Sequence, residues 1–452
     1  MRLQRRLGVV DFTLITIGSV IGSGIFRNPA VVAQRAHQPL LIMACWAAGG
    51  VLALIGAFVF AELASRRPLD GGLYAYLRDA YNPGVGFVFV WMVFWVMYTG
   101  GTAASAALFA GYLGPALGIT ADPRVIAVAA LGAVTIVNVL GVRQGAAWQD
   151  LLVILKVSAI GALIFAGFIA RASAVHAPPL PAFSSSLQLA GALGVAMLPA
   201  LFAYNGFQSA TYITAEVREP QRTVPRGMLL GVAVVVIVYI LVSTGCLRVL
   251  GAAGLASSAT PAADVMRAAF GSAGARIIAI AIALSTLGYM STSVLVAPRV
   301  YFQLAADGML FRQVAWVHPR TRVPVVAIVM HGTMAAILAA SGTFEQIVNW
   351  VTLPDWCCIA AAAIAIFIFR KRDSGGPAPF VRVPAHPCST LLLIGAVLAV
   401  VAAEVAIYPR DSLYSALVLL AGAIVYLGWV RRRSRHAPPM IAKIAKPGTN
   451  EQ

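Results

Sequence analysis

The sequence predicts an all-α integral membrane protein, and three observations predict it. Hydrophobic residues make up 60% of the chain against 11% charged, in apolar blocks of about 20 or more, the length that crosses ~30 Å of hydrocarbon. Basic residues gather in alternate loops, which is the positive-inside pattern. Glycines and polar residues break two of the blocks halfway across. A soluble core helix would carry a polar stripe, and blocks such as 40–62 and 232–249 have none.

Twelve spans are expected, at roughly 8–34, 40–64, 84–112, 124–141, 148–170, 188–217, 227–249, 273–303, 324–341, 345–369, 388–407 and 412–430. Arginines before the first apolar run imitate a secretory leader, but Asp11 interrupts the run and no convincing cleavage site follows, so it reads as a retained span. Within it lies Gly18-Ser19-Val20-Ile21-Gly22-Ser23-Gly24-Ile25-Phe26. Each glycine in a helix interior costs about 1 kcal/mol relative to alanine, so the cluster suggests backbone that does not stay helical. Opened backbone at membrane depth survives where it is buried in protein or lines a watery cavity. Its free N–H groups and the half-helix dipole would suit a carboxylate. The competing reading is close packing through the small-xxx-small pair Gly18 and Gly22.

Glu62 ends the second span and Glu216 the sixth; both read as structural partners for loop arginines. Lys156 lies about eight residues into the fifth span, close to mid-depth at ~1.5 Å per residue. Snorkelling is the bland alternative, but a charge at that depth marks function. The sixth span carries the second interruption, Phe202-Ala203-Tyr204-Asn205-Gly206-Phe207-Gln208. Breaks in the first member of two five-span halves point to an inverted-repeat transporter with its site between them at the bilayer midplane.

Two external stretches are longer, the Pro-rich one around 171–186 and one around 250–272 that is expected to hold a short surface helix. Glu404 in the eleventh span has no assigned role. Cys45, Cys246, Cys357, Cys358 and Cys388 show no metal-ligand spacing and read as small packing residues. The net charge of +17 would suggest nucleic acid in a soluble protein. Here it resides in Arg2, Arg5 and Arg6, in Arg66/Arg67/Arg78, Arg218/Arg222/Arg226, Arg312/Arg320/Arg322, Arg370/Lys371/Arg372 and Arg431/Arg432/Arg433/Arg435. That places both termini in the cytoplasm and leaves no nucleic acid partner to expect. Without a soluble domain an enzyme with a separate catalytic head is excluded, and no Ser/His/Asp, His-Glu-x-x-His or paired-carboxylate constellation lies in the spans, so no enzyme is expected.

These motifs, in their order and spacing, resemble the amino acid–polyamine–organocation superfamily, specifically its bacterial permeases similar to L-type amino acid transporters. Its strongest parts are residues 18–26 and the string from Phe202 through Ala215-Glu216-Val217-Arg218-Glu219-Pro220 to Arg226. Support comes also from Asp70-Gly71-Gly72-Leu73-Tyr74, from Gln149-Asp150 followed by Lys156, and from Ala297-Pro298-Arg299-Val300-Tyr301. The resemblance implies a LeuT-type fold: inverted five-span repeats at 1–170 and 171–372, two added spans at 373–435, and a disordered cytoplasmic tail at 436–452. It implies that backbone amides matching Ser23 and Gly24 meet a substrate carboxylate, while carbonyls matching Val20, Phe202 and Asn205 meet its ammonium. Asn205 stands where many relatives have a small residue, and Phe207 where L-type members often carry a gating tryptophan. Lys156 matches a lysine held to occupy the place of sodium in sodium-coupled relatives.

The expectation is therefore a sodium-independent secondary transporter of amino acids in the cell (inner) membrane, either an exchanger or a proton symporter with protons as a candidate partner. No cofactor or metal is expected. Neutral substrates are preferred because no acidic residue is seen near the two breaks. A polyamine or cationic amino acid carrier is the alternative, which an acid lining the pocket would favour. A non-transporting sensor ranks lower, since no signalling domain is recognised. The loop 113–123 has no cysteine, so no disulfide-linked partner subunit is expected.

Overall fold

The computed structural model describes residues 7–22, 24–67, 72–140, 146–171, 185–319, 321, 323–375 and 378–430. Ser23, most of the Pro-rich stretch and several loop arginines, including Arg2, Arg5, Arg6, Arg320, Arg322 and the cluster from Arg431, lie outside the described residues, as does the side chain of Glu216.

In chain order the helices are α1 (Val9–Val20), α2 (Gly24–Ala36), α3 (Pro39–Arg66), α4 (Leu73–Ala80) and α5 (Pro83–Met92). A π-helical turn, Val93–Met97, carries α5 into α6 (Tyr98–Leu117). There follow α7 (Pro123–Val139), α8 (Ala146–Ile169), α9 (Ser186–Tyr204), a 3-10 segment (Phe207–Glu216), α10 (Pro220–Ser257), α11 (Pro261–Val296), α12 (Pro298–Ala306), α13 (Val325–Ser341), α14 (Phe344–Arg372), α15 (Cys388–Ile407) and α16 (Pro409–Val425). Proline at the first turn sets many of the starts, including α3, α5, α7, α10 and α11, where its missing N–H is no loss. At α14 a capping box does the work: Gln346 N donates to Thr343 Oγ1 at 3.3 Å and Thr343 N to Gln346 Oε1 at 2.9 Å.

Among the described residues eight helices are long and apolar enough to cross a membrane, and α1 with α2, bent by 45°, makes a ninth candidate span. Shorter apolar helices at Pro123–Val139, Leu155–Ile169 and Val325–Ser341 fall on the expected fourth, fifth and ninth spans.

Side-chain contacts define two ends of the bundle. At one end Arg218 N donates to the Leu7 carbonyl at 3.0 Å. There too Glu62, fully buried, meets Arg66 at 2.8 Å, Arg370 at 2.7 Å and the Val383 amide at 2.7 Å, so it does partner loop arginines. Tyr74 donates to Asp307 at 2.6 Å on the same side. At the other end Arg35 donates to Asn349 at 2.9 Å, and Asn349 and Trp350 both donate to Asp411 at 3.0 Å. The arginine-rich loops thus share one face.

Prolines inside the spans remove an N–H and orphan the carbonyl four residues earlier. Each of three such carbonyls is met from another helix. Arg35 donates to Val195 at 2.8 Å, Ser65 to Gln221 at 3.2 Å and Ser415 to Trp350 at 3.4 Å, below Pro199, Pro225 and Pro354 respectively. The helix breakers are therefore satisfied by tertiary contacts, as hydrocarbon requires.

Some expectations are corrected. The stretch 250–272 holds two short helical segments, 252–257 and 261–270, set off from the long helices by non-helical Gly251 and Gly271 with φ of 68° at each, and the second turns Arg267 and Phe270 outward. Leu255 and Val265 there are fully buried, because the kinks fold these segments back over α2, whose Gln34 donates to the Ala256 carbonyl at 2.8 Å. Cys45 and Cys246 are buried packing residues, but Cys357 and Cys388 are exposed on the helix surface. Glu404 is buried on α15.

Candidate functional site

The first interruption opens where α1 stops at Val20. Ile21 turns out of the helix (φ −71°, ψ 87°), Gly22 N donates back to the Val20 carbonyl at 2.8 Å, and α2 restarts at Gly24. The second opens after Tyr204: Asn205 is extended (φ −73°, ψ 163°) and Gly206 takes φ 108°, a conformation that favours glycine. The two breaks interlock. A Cβ on Gly24 would stand 2.8 Å from Ala203 Cα, and one on Gly206 would overlap the Ser19 carbonyl oxygen. Nothing lies within 4 Å of a Cβ on Gly18, and one on Gly22 would make only ordinary contact with the Tyr289 ring at 3.5 Å, so the Gly18 and Gly22 pair is not a close-packing motif, whereas Gly24 is tightly packed.

Between the breaks is a cavity of about 60 Å³ lined by Val20, Gly22 and Gly24 from the first, Phe202, Asn205 and Gly206 from the second, and Tyr98, Tyr289, Val351 and Asp355 from α6, α11 and α14. At roughly 10–15 Å³ of such volume per water molecule it has room for about four to six waters, the scale of a small ligand. The helix N-terminus of α2 faces it, which suits an anion.

Of the sequence-predicted residues, Val20, Gly24, Phe202 and Asn205 line this cavity, and Ser23 lies outside the described residues. Phe207 is not among the lining residues. Its ring is fully buried, 5.8 Å edge-on from Phe60 and against Gly56, because the φ of Gly206 turns the next side chain into the core. Lys156 is buried behind the first break and its Nζ donates to the Ile21 carbonyl at 2.7 Å.

One premise is overturned: an acidic residue does stand at the breaks. Asp355, next to Pro354 on α14, lines the cavity and is 5% exposed. Asn205 Nδ2 donates to its Oδ2, and Gln208 Nε2 donates to Asn205 Oδ1 at 2.6 Å. Among the described residues no Lys or Arg is within ion-pairing distance of it.

Side-chain contacts flank the cavity at its two ends. Phe202 meets Phe344 edge-on at 6.5 Å, and Phe344 in turn lines a second cavity of about 390 Å³ with Arg27, Arg124 and Glu345. There Arg27 pairs with Glu345 at 2.7 Å and donates to the Ser258 carbonyl. Toward the arginine-rich end, Tyr98 and Ser209 share a hydrogen bond of 2.5 Å. Among the described residues no group of three His, Cys, Asp or Glu side chains could hold a metal ion.

A membrane bundle with a polar chamber between two broken spans has the architecture of a transport protein. The family model for amino acid permeases matches residues 7–428, and the chain belongs to that family, whose members are transporters rather than enzymes. It is 28% identical to the human b(0,+)-type amino acid transporter 1 over 458 residues, 99% of this chain and 91% of the relative. It is 28% identical to the serine/threonine exchanger SteT of Bacillus subtilis (strain 168) over 442 residues, covering 96% and 98%. The mouse large neutral amino acids transporter small subunit 2 is 26% identical over 385 residues, 83% of this chain and 72% of that one.

Proposed function

We propose that this amino acid transporter is a sodium-independent exchanger of small neutral amino acids, working by alternating access on two inverted five-span repeats with two further spans, in the plasma membrane and with both termini cytoplasmic. The observation that carries the reading is the chamber between the two interlocked breaks, with a helix N-terminus at one wall and polar acceptors at the other. Such walls recognise the zwitterion common to all amino acids. The size of the chamber, about 60 Å³, favours glycine, alanine or serine over long side chains. Exchange accords with the serine/threonine exchanger among the relatives.

Sodium independence rests on Lys156: its hydrogen bond to the Ile21 carbonyl supplies from within a cation that would otherwise be imported. The shared face of Leu7, Arg218, Glu62 and Arg370 supports cytoplasmic termini under the positive-inside rule. Asp355 favours a second reading, carriage of a cationic amino acid, but a lysine or arginine side chain exceeds the room in the chamber.

The test is uptake of labelled alanine and serine into proteoliposomes with and without internal amino acid, in sodium chloride and in choline chloride. Uptake that needs internal substrate and ignores sodium is expected. Uptake driven by a sodium gradient, or of arginine or putrescine in preference to alanine, would contradict the reading.

A further inference from the structure

The interruption of a helix frees carbonyls that could hold an ammonium, yet in this chain the protein itself uses most of them. The Val20 carbonyl accepts from Gly22 N at 2.8 Å and from Tyr239 Oη at 3.1 Å, which fills both lone pairs of that oxygen. The Ile21 carbonyl is taken by Lys156, and the Leu201 carbonyl by Trp356 Nε1 at 3.2 Å. Phe202 O already accepts from Asn205 N at 3.3 Å. The charged group in the chamber wall is a carboxylate, that of Asp355. Asp355 Oδ2 accepts from Asn205, while Oδ1 is buried and has no hydrogen-bond partner among the described residues. A buried carboxylate with one oxygen left without a donor and no cation beside it is costly, and in a membrane interior it marks function.

We infer that Asp355 Oδ1 is the receptor for the substrate's α-ammonium group, with the N-terminus of α2 at Gly24 receiving its carboxylate. This rests on the reading of the chamber as an amino acid site and departs from a purely backbone-built one. Asp355 lies on α14 and is bound to Asn205 in the second break, whereas Gly24 belongs to the first. A bound zwitterion therefore bridges three elements that a ligand lacking either pole leaves unlinked. The small chamber makes the α-ammonium, not a distant side-chain cation, the group that reaches the oxygen.

The experiment is exchange of labelled L-alanine in proteoliposomes by the full-length protein and by Asp355→Asn and Asp355→Glu, with competition by unlabelled L-alanine, L-lactate and L-lysine. Lactate matches alanine but carries a hydroxyl in place of the ammonium. In the wild type alanine should compete at least a hundredfold better than lactate. In Asp355→Asn the KM for alanine should rise at least tenfold and the preference over lactate should fall by a similar factor. Asp355→Glu should recover part of both. The preference over lactate is a ratio within one variant, so it stays readable if less protein folds. An unchanged preference in Asp355→Asn would overturn the assignment. So would loss confined to lysine competition, which would make Asp355 a side-chain receptor, or loss confined to the response to a pH gradient, which would make it a proton carrier. Absence of amino acid exchange in the wild type would instead overturn the functional reading itself.

Discussion

A Cβ placed on Gly206 would overlap the carbonyl oxygen of Ser19, so the second break leans directly on the last turn of helix before the first. Gly206→Ala therefore meets both a steric clash and a backbone at φ 108°. Such strain costs about 1–3 kcal/mol and would push the two breaks apart. Exchange should fall by an order of magnitude or more while the purified protein still elutes as a single species. Near-normal exchange would show that the close approach is dispensable.

Lys156→Ala removes a charged donor from the Ile21 carbonyl, a bond of a kind worth about 1.5–3 kcal/mol. Exchange should drop at least tenfold in proteoliposomes. Because the substitution also vacates a cation's position, residual exchange should become sensitive to sodium; equal rates in sodium and choline chloride would remove that part of the account.

How much of this was legible beforehand depends on what each residue had to reveal. The two breaks were readable because glycine and polar residues are anomalous within apolar spans, and Lys156 because a charge at that depth is. Asp355 carries the same signal, an ionisable residue in the tenth span, and it continues a polar stripe with Glu345, Asn349 and Thr352 at helical spacing; the stripe marks a buried face, but sequence alone does not say that this face meets the two breaks. The ring of Phe207 was unreadable for another reason: its direction is set by the φ of the glycine before it. The stretch 250–272 reads as holding a short surface helix; what sequence does not show is that the breaks at Gly251 and Gly271 set off two segments, each burying one face. The proline carbonyls find their donors only in three dimensions, since Arg35 and Ser415 are far from Val195 and Trp350 in sequence.

Arg27 and Glu345 pair at 2.7 Å in the wall of the second cavity, which the Phe344 ring also lines, and in the proposed exchanger this pair acts as a closure. Glu345→Gln should loosen that closure without touching the chamber. In a cysteine-free background carrying Gly111→Cys in the second cavity, labelling by a membrane-impermeant thiol reagent should speed up several-fold. No change would place the closure elsewhere.

Glu62 is buried and holds Arg66, Arg370 and the Val383 amide together. Removing one partner from such a cluster typically costs about 3–5 kcal/mol. Glu62→Gln should lower the melting temperature in detergent by several degrees, with the KM for alanine in the surviving protein unaltered; a raised KM would tie this cluster to the substrate site.

Chamber volume sets the size limit. Met97 lines the cavity, and Met97→Ala should admit valine or leucine as competitors that the wild type excludes by about tenfold or more.

The central claim is that an amino acid sits between the two broken spans, and an experimental density map of the protein in lipid nanodiscs saturated with L-serine tests it most directly. The account predicts density for one small molecule bounded by Val20, Gly24, Phe202 and Asn205. Serine found only in the second cavity beside Arg27 and Glu345, or helices continuous through residues 20–24 and 204–207, would contradict it.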